Sequence, residues 1–474
     1  MAKGDLDPED WQAFRATAHD LLDRCIDHIA QAGRHPWQPV PEKVRAGYAL
    51  SGAGSDEAAL AARLADAILP YGTGNTHPRF FGWVHGTGLA AGLMAEMVAA
   101  TMNANLGGRD HGAVHVERAV IDWTRRTMGF PRGASGVLVT GTSQATLIAL
   151  AAARVATLGP ESRLTGMQGA RLVAYAGAGV HNAALKAMEV LGLGRDALRR
   201  VAEGKDGIDM SALRRAVAGD RAAGRHPFAV IGTAGSVDLG RFDDLNALAD
   251  FSAEEGLWLH VDGAFGAWTR LADPPWHDLT DGIGRADSLA CDFHKWMYVP
   301  YDCGLVLIRD EAAHRAAFAA RPAYLAAQEA GLGSGEPWFC DYGIDLSRGN
   351  RALKVWAAIE CYGVERLGAA ITRNCRLAAH MAESVAATPG MRLAAPVVSN
   401  VCVFTADDSL PDAAQSALNA RIAQALQMSG AAVFSTTAID GVTCLRAAIT
   451  NHRTRTGDVD AAIAAVARAR EAAA

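Results

Sequence analysis

The sequence has 474 residues, of which 50% are apolar and 20% charged, with a formal net charge of -6 at pH 7. This length exceeds what one hydrophobic core usually serves, so two or three domains are expected. No long run of one charge sign occurs, which argues against a nucleic-acid or membrane partner. The eight cysteines form no CxxC pair and the first residues contain no apolar segment, so we expect a cytoplasmic protein without a disulfide framework or a zinc site.

Two amphipathic helices are predicted at the start of the chain. Asp7-Pro8-Glu9 is a helix-start signal, and apolar residues recur at helical spacing over residues 11–29. A second helix of this kind is predicted between Ser55 and Pro70. Two such helices cannot bury their apolar faces on each other alone. Residues 1–85 are therefore expected to form a helical arm with a pocket loop, and the arm is expected to pack on another body such as a second subunit.

Apolar strand patterns alternate with helical patterns over residues 136–309. This alternation predicts an α/β domain, residues 86–349, whose largely parallel sheet is covered by helices on both faces. From residue 350 the pattern changes, and a smaller α+β domain is predicted over residues 350–474. Its short strands are predicted near residues 401–405, 432–434 and 443–449.

One strand-to-helix turn has the features of an anion site. A predicted strand at residues 136–140 runs into Gly141-Thr142-Ser143-Gln144 and then into a helix. Unpaired backbone N–H groups and the helix dipole favour a phosphate at such a turn. The turn matches neither a Walker loop nor GxGxxG, so a nucleotide is not favoured, and the pattern is also that of an ordinary helix cap.

Four more polar residues, His181, Ser236, Asp262 and Lys295, come at or soon after the ends of predicted strands. In α/β sheets, ligands gather at the carboxyl ends of strands. Lys295 stands in the stretch LACDFHKWMYVPYD, whose apolar surroundings are expected to lower its pKa and leave an amine that can attack an aldehyde. The alternatives are a capping or surface role for His181, a helix cap for Asp262 and a chance lysine at a loop edge.

Pyridoxal 5′-phosphate is the cofactor that needs this set of groups. Its phosphate needs N–H and hydroxyl donors, and its aldehyde needs a lysine. Its ring nitrogen needs a carboxylate in order to stay protonated, because the protonated ring is the electron sink. Its flat face needs a group to stack on, and an imidazole serves that purpose.

The chain resembles the group II pyridoxal-phosphate-dependent decarboxylases, the family of aromatic-L-amino-acid decarboxylase and glutamate decarboxylase. The resemblance implies a fold-type I enzyme with a seven-stranded, mostly parallel sheet, acting as a homodimer with active sites at the subunit interface. It covers most of the chain in family order and is carried by HPRFF (77–81), TGTSQATLIAL (140–150), LWLHVDGAFGA (257–267), DFHKW (292–296), YDCG (301–304), RALKVWAAIECYG (351–363) and LRAAITNHRT (445–454).

The resemblance also implies roles for the residues that would contact the cofactor ring. Lys295 would form the covalent bond to the aldehyde. Asp262 would pair with the pyridine nitrogen, and Ala264 would pack under the ring. His181 would stack on the ring and reach toward the substrate carboxylate.

Further roles concern the cofactor's polar substituents. Thr142 and Ser143 would hold the phosphate, helped by His294. Ser236 stands where the family usually has threonine and would face the phenolic oxygen. Asp292 stands where the animal enzymes often have asparagine, and it adds a negative charge near the phosphate or the lysine.

One tyrosine bears on the reaction type. Tyr324 lies in the glycine-rich stretch 310–339 and matches, in spacing from the lysine, the family's loop tyrosine, which protonates Cα after carbon dioxide leaves. Related enzymes that form an aldehyde carry phenylalanine at this position, so a tyrosine favours plain decarboxylation. The alternatives are a packing role for this tyrosine, an aminotransferase or aldehyde synthase on the same scaffold, and a catalytically silent protein that only binds the cofactor.

The substrate is predicted to be an aromatic L-amino acid, namely tryptophan, tyrosine or phenylalanine. Residues 72–92 are read either as a packed connecting loop or as a pocket wall, the latter formed by Trp83 and His85. An acidic or other polar amino acid, bound through Arg109 or His85, is the alternative. The remaining predicted substrate contacts are Asn103 and Asn105, in the loop that the family supplies from the partner subunit, and Arg446, which would bind the substrate carboxylate.

Overall fold

The computed structural model describes residues 6–205, 207–320 and 328–473. Its helices are α1 (Trp11–Ala30), α2 (Glu42–Ala46), α3 (Glu57–Arg63), α4 (Ala90–Met102), α5 (Gly112–Thr127), α6 (Thr142–Leu158), α7 (Ser162–Thr165), α8 (Asn182–Val190), α9 (Met210–Ala222), α10 (Leu245–Glu255), α11 (Phe293–Trp296), α12 (Glu311–Phe318), α13 (Ala352–Ala387), α14 (Asp412–Met428) and α15 (Thr456–Ala473). Its strands are β1 (Ser135–Val139), β2 (Leu172–Gly177), β3 (Leu198–Val201), β4 (Glu203–Gly204), β5 (Gly207–Ile208), β6 (His226–Thr233), β7 (Trp258–Asp262), β8 (Ser288–Asp292), β9 (Gly304–Ile308), β10 (Arg392–Leu393), β11 (Val401–Thr405), β12 (Ser435–Ile439) and β13 (Val442–Ala448).

Seven strands form the central sheet in the order β1-β9-β8-β7-β6-β2-β3. The neighbours from β8 through β7, β6 and β2 to β3 are parallel, whereas β9 runs antiparallel to both β8 and β1. All residues of β1, β2, β8 and β9 are buried, as expected for a sheet covered by helices on both faces. This architecture confirms the predicted α/β class, with a seven-stranded, mostly parallel sheet of fold type I.

A second, antiparallel sheet of four strands, β10-β11-β13-β12, forms in the C-terminal part of the chain. Helices α14 and α15 pack near it, around a core that includes Phe404, Leu445 and Ile449. Helix α13 contacts α4 and α5 as well as strands β10 and β11 of the second sheet, and it changes direction at Gly363, whose φ of 69° is left-handed.

The predicted strand at residues 432–434 is wrong in position. These residues are buried, but the strand begins at Ser435 and runs to Ile439. Val433 instead forms an isolated bridge with Phe80 of the N-terminal segment. The apolar run is therefore used for a contact between distant parts of the chain.

Helices α1 and α3 form the N-terminal arm and pack on each other. Helix α1 starts later than the signal at Asp7 predicts, because the carboxylate of Asp10 accepts hydrogen bonds from the N–H groups of Gln12 and Ala13. The arm keeps large apolar side chains exposed, among them Trp11, Phe14, Ile26 and Leu60. Packing of the arm on a second subunit stays a prediction. No helix within the described ranges is long and apolar enough to cross a membrane.

The carboxyl ends of β2, β6, β7 and β8 lie side by side at one edge of the central sheet. The start of α6 lies at the same edge, because the N–H of Thr142 donates a 2.7 Å hydrogen bond to Asp292 at the end of β8. Ligands collect at this edge in α/β sheets. The polar residues that follow these strands therefore meet in one place.

Candidate active site

A cavity of about 490 Å³ lies at this edge of the central sheet. Its volume falls within the range of roughly 300–1,000 Å³ that is typical of small-molecule sites. It brings together most of the predicted site residues: Trp83, His85, Thr142, Ser143, His181, Asp262, Ala264, Asp292, His294 and Lys295.

Lys295 enters the cavity from the short helix α11, which directly follows β8. Its Nζ lies 2.9 Å from Oδ2 of Asp292, and its side chain is 22% exposed. Burial lowers the pKa of Lys295, but the Asp292 carboxylate, together with Asp262 and Tyr301, raises it above the ordinary value. The expectation of a lowered pKa for Lys295 is therefore wrong, since the nearest polar neighbour of the amine is an anion.

The start of α6 forms the predicted phosphate cradle. Gly141 precedes the helix, and the N–H of Thr142 donates to Oδ1 of Asp292. The hydroxyl of Thr142 is buried and has no hydrogen-bond partner among the described residues. A buried hydroxyl without a partner costs free energy, so this position suits a ligand that carries acceptor oxygens.

Asp262 is the last residue of β7, and its carboxyl group is buried in the wall of the cavity. Its Oδ1 accepts a 3.1 Å hydrogen bond from the N–H of Ala264. Burial raises the pKa of Asp262, while the positive charge of Lys295 opposes the rise. A cationic N–H close to this carboxyl group would relieve the cost of its buried charge.

His181 lies at the start of α8 and faces the same cavity. Its Nδ1 accepts a 3.2 Å hydrogen bond from the N–H of Ala183, so the ring does cap the helix. A neutral imidazole whose Nδ1 accepts carries its proton on Nε2. The capping alternative and the active-site alternative are therefore compatible, because the two ring nitrogens face different partners.

His294 precedes the lysine and contacts a tyrosine that the sequence interpretation did not select. Its Nδ1 accepts a 3.0 Å hydrogen bond from the N–H of Cys303, and burial lowers its pKa. The ring of Tyr301 lies 4.3 Å from the ring of His294, centroid to centroid. The position of Tyr301 in the aromatic-rich stretch after Lys295 was the available signal for this ring contact.

An aromatic wall, defined here as Phe80, Trp83, His85 and Tyr301, contributes the rings of Trp83 and His85 to the cavity lining. Ring centroids are 6.2 Å apart for Phe80 and Trp83, and 5.8 Å apart for Trp83 and His85. His85 in turn lies 5.9 Å from Tyr301. Burial and the charge of Lys295 lower the pKa of His85, so this histidine is held neutral close to the amine. The pocket-wall interpretation of this segment agrees with this arrangement.

Two predicted site residues lie behind the cavity wall. The guanidinium of Arg446 is buried and donates to the backbone carbonyls of Trp83 and Val237, both of which belong to residues that line the cavity. The hydroxyl of Ser236 accepts a 3.1 Å hydrogen bond from the N–H of Arg241. Their predicted ligand contacts stay predictions. In this chain the two side chains shape the wall, and Thr233, Gly235 and Val237 line the cavity beside Ser236.

The remaining predicted residues are not among those that line this cavity. Asn103 ends α4 in a left-handed conformation, and Asn105 accepts hydrogen bonds from the N–H groups of Gly107 and Arg348. Tyr324 lies outside the described residues. The roles of all three stay predictions that depend on the resemblance.

The side chains around the cavity fit pyridoxal 5′-phosphate. The buried hydroxyl of Thr142 suits the phosphate, and the amine of Lys295 suits the aldehyde. The carboxyl group of Asp262 suits a protonated ring nitrogen, and the imidazole of His181 provides a flat surface. Lys295 and Asp262 both line this cavity, and each shifts the pKa of the other.

Comparison with known proteins gives a consistent result. Residues 41–406 match the family model described as the pyridoxal-dependent decarboxylase conserved domain. The chain is 30% identical over 467 residues to an aromatic-L-amino-acid decarboxylase of Bacillus atrophaeus, covering 94% of this chain and 93% of the relative. It is 27% identical over 454 residues to an L-2,4-diaminobutyrate decarboxylase of Rhizobium meliloti, covering 94% and 90%.

Among solved structures, the 4-hydroxyphenylacetaldehyde synthase of Rhodiola rosea superposes with a TM-score of 0.87 at 25% identity. The superposition covers 98% of this chain and 99% of that one. The match therefore extends over the arm and both sheets.

Proposed function

Because the chain belongs to the pyridoxal-dependent decarboxylase family, we propose that its substrate is an aromatic L-amino acid, which it converts to the amine and carbon dioxide. That it is a pyridoxal-phosphate-dependent amino-acid decarboxylase follows from the family. The choice of tryptophan, tyrosine or phenylalanine is supported by the aromatic wall, of which Trp83 and His85 line the same cavity as Lys295.

The residues that would hold the cofactor come from separate elements of the central sheet. Lys295 provides the amine for the aldehyde, and Asp262 provides the carboxylate for the ring nitrogen. Thr142 and Ser143, at the start of α6, provide donors for the phosphate. When bound, the cofactor supplies the sink for the electrons that remain on Cα after carbon dioxide leaves.

The chain's own groups then handle the proton. His181 carries its proton on Nε2, because Nδ1 is occupied by the N–H of Ala183, so Nε2 can donate to a carbon held in the cavity. We propose Tyr324 as the main donor to Cα, on the basis of the family's loop tyrosine.

The related proteins support two alternative functions. The match to an L-2,4-diaminobutyrate decarboxylase favours a polar substrate, and the match to an aldehyde synthase favours an oxidative outcome. A third alternative is an acidic substrate bound through His85, which lines the cavity, or through Arg109, whose guanidinium stacks at 4.6 Å on Trp338.

A carbon dioxide release assay on the purified holoenzyme tests the proposal. Tryptophan, tyrosine and phenylalanine are compared with 2,4-diaminobutyrate, glutamate and aspartate, and each product is identified as amine or aldehyde by mass spectrometry. The proposal expects the highest kcat/KM for one of the aromatic amino acids, with the amine as product. Preferred turnover of a diamino or acidic substrate, or an aldehyde as the main product, would replace it with the corresponding alternative.

We also propose a homodimer with active sites at the subunit interface. Helix α4 exposes Met94, Met97, Val98 and Met102, an apolar surface whose burial against a second copy would be favourable. The same contact would carry the loop after α4, with Asn103 and Asn105, toward the partner's cavity. Sedimentation velocity should show a dimer at micromolar concentration, and a monomer as the main species would contradict it. A cytoplasmic location also stays a prediction.

A further inference from the structure

A second cavity, of about 420 Å³, lies between the start of α4, the middle of α13 and the segment after β13. It shares no lining residue with the cavity around Lys295. Four arginines line it, and no aspartate or glutamate does: Arg366, Arg373, Arg453 and Arg455. We call this group the arginine cluster.

The arginine cluster has no internal counter-charge. The charged groups that act on Arg373 are Arg455 and Tyr298, and the group that acts on Arg453 is Tyr362. Burial lowers the pKa of Arg373 and of Arg453, and no carboxylate is among the groups that oppose this shift. Within the described part of the chain, these guanidinium groups form no ion pair. Arg373 and Arg453 are half-buried, and cations that are partly removed from water are costly unless an anion neutralises them.

Backbone carbonyls hold three of the guanidinium groups in place. Arg453 donates from both terminal nitrogens to the carbonyls of Thr87 and Gly88, at 3.1 Å each. Arg373 and Arg455 both donate to the carbonyl of His452. Nε of Arg373 is buried and has no hydrogen-bond partner among the described residues. The donors are thus fixed before any ligand arrives, which reduces the ordering cost of binding.

The histidine between these arginines adds no positive charge. Burial, together with Arg453, Arg373 and Arg455, lowers the pKa of His452 to about 3, and its Nδ1 lies 2.7 Å from the hydroxyl of Thr87. Burial is the largest cause of this shift and the three arginines add to it, so the imidazole stays neutral beside them. Leu89, Leu367 and Ala370 add apolar lining to the same cavity.

We propose that the arginine cluster is a second ligand site, which binds a small organic dianion such as a phosphate ester or a dicarboxylate. Guanidinium groups form paired hydrogen bonds with phosphate and with carboxylate oxygens, so both ligands share the required chemistry. The cavity is larger than a bare phosphate ion, and its apolar lining accommodates a carbon skeleton. The chain segment from Trp83 to Ala90 contributes lining residues to both this cavity and the catalytic cavity.

Isothermal titration of the holoenzyme with inorganic phosphate and, separately, with succinate tests this proposal. In the holoenzyme the catalytic phosphate cradle is already filled by the cofactor, so added phosphate reports on another site. We expect one saturable site per chain, and the tighter of the two probes identifies the ligand class. Arg373→Gln and Arg455→Gln should each weaken binding by about tenfold, as loss of a charge-assisted hydrogen bond does.

Arg376→Gln is the matched control. Arg376 lies on the same helix, its side chain is 67% exposed, and it pairs with Asp273 away from the cavity. Binding to this variant should equal binding to the unmodified chain. No saturable binding of either probe, or equal binding in all variants, would overturn the proposal. A shift of Arg455→Gln from dimer to monomer in sedimentation velocity, with anion binding unchanged, would assign the cluster to a second copy of the chain.

Discussion

Nζ of Lys295 lies 2.9 Å from Oδ2 of Asp292, while Oδ1 of the same carboxylate accepts a 2.7 Å hydrogen bond from the N–H of Thr142. One buried carboxylate thus connects the reactive amine to the start of α6. Burial raises the pKa of Asp292, but Lys295 and His294 outweigh burial and hold it below its usual range. The same pairing raises the pKa of Lys295. Because only a neutral amine attacks an aldehyde, this pair controls the pH at which the lysine reacts.

Asp292→Asn should therefore shift attachment of the cofactor to lower pH. The asparagine keeps an oxygen that can accept from Thr142, but it removes the negative charge that raises the pKa of Lys295. With that charge gone, burial dominates and the pKa of Lys295 falls, so more neutral amine is present at a given pH. The rate of appearance of the long-wavelength absorbance, measured on apoenzyme against pH, checks this shift.

Asp281→Asn serves as the control for that substitution. Asp281 is an exposed partner of Arg270, and its replacement should leave the pH profile unchanged. Equal midpoints for Asp292→Asn and the unmodified enzyme would mean that another group sets the pKa of Lys295.

Lys295→Ala should abolish both the long-wavelength absorbance of the bound cofactor and the release of carbon dioxide. The amine that forms the covalent bond is removed, while the carboxyl group of Asp262 and the start of α6 remain. Absorbance spectroscopy after cofactor addition and a turnover assay measure the two losses. Lys186→Ala, on the surface of α8, should retain both properties. Turnover that persists in Lys295→Ala would remove this lysine from the mechanism.

Much of the sheet could be predicted because its strands are buried on both faces. The strand ending at Asp262 and the strand leading to Lys295 are short apolar runs, each followed by a polar residue, and both form as predicted. The edge strand Leu198–Val201 was not predicted. Its two central residues, Arg199 and Arg200, are charged and not buried, so it lacks the continuous apolar run of a central strand.

Less of the site could be predicted, because sequence spacing does not show which groups neutralise each other. The apolar residues around Lys295 are evident from the sequence, but the contact of its amine with Asp292 depends on the turn of α11. Arg446 is a similar case. Its position in β13 is predictable, but its hydrogen bonds to the carbonyls of Val237 and Trp83 depend on tertiary packing.

Tyr324→Phe should move the product from the amine toward the aldehyde, with ammonia and hydrogen peroxide. Without the phenol, protonation of Cα slows, and dissolved oxygen can oxidise the same carbon instead. Mass spectrometry of the product and a peroxide assay measure the change. Tyr48→Phe, in the arm, should leave the product ratio unaltered. An unaltered amine yield in Tyr324→Phe would assign proton transfer to another group, of which Nε2 of His181 is the first candidate.

Arg348→Met should destabilise the fold strongly. The Arg348 guanidinium is buried and binds the carboxylate of Glu117 as well as the carbonyls of Leu106 and Leu138. Its loss leaves a buried carboxylate without a counter-charge, which typically costs about 3–5 kcal/mol. Urea denaturation measures the loss, and Glu117→Leu combined with Arg348→Met should recover part of it. A single variant as stable as the unmodified chain would show that Glu117 takes up a proton at little cost.

Trp83→Ala should raise KM for an aromatic substrate and leave kcat less affected. The Trp83 ring is half-exposed in the cavity lining, 5.8 Å from His85, where it can cover the substrate side chain without touching the reacting carbon. Loss of one such aromatic contact corresponds to about a tenfold change in affinity. Trp356→Ala, an exposed tryptophan on α13, is the control and should change neither constant. If Trp83→Ala lowers kcat and spares KM, the ring positions the cofactor, and the aromatic wall no longer supports the choice of substrate.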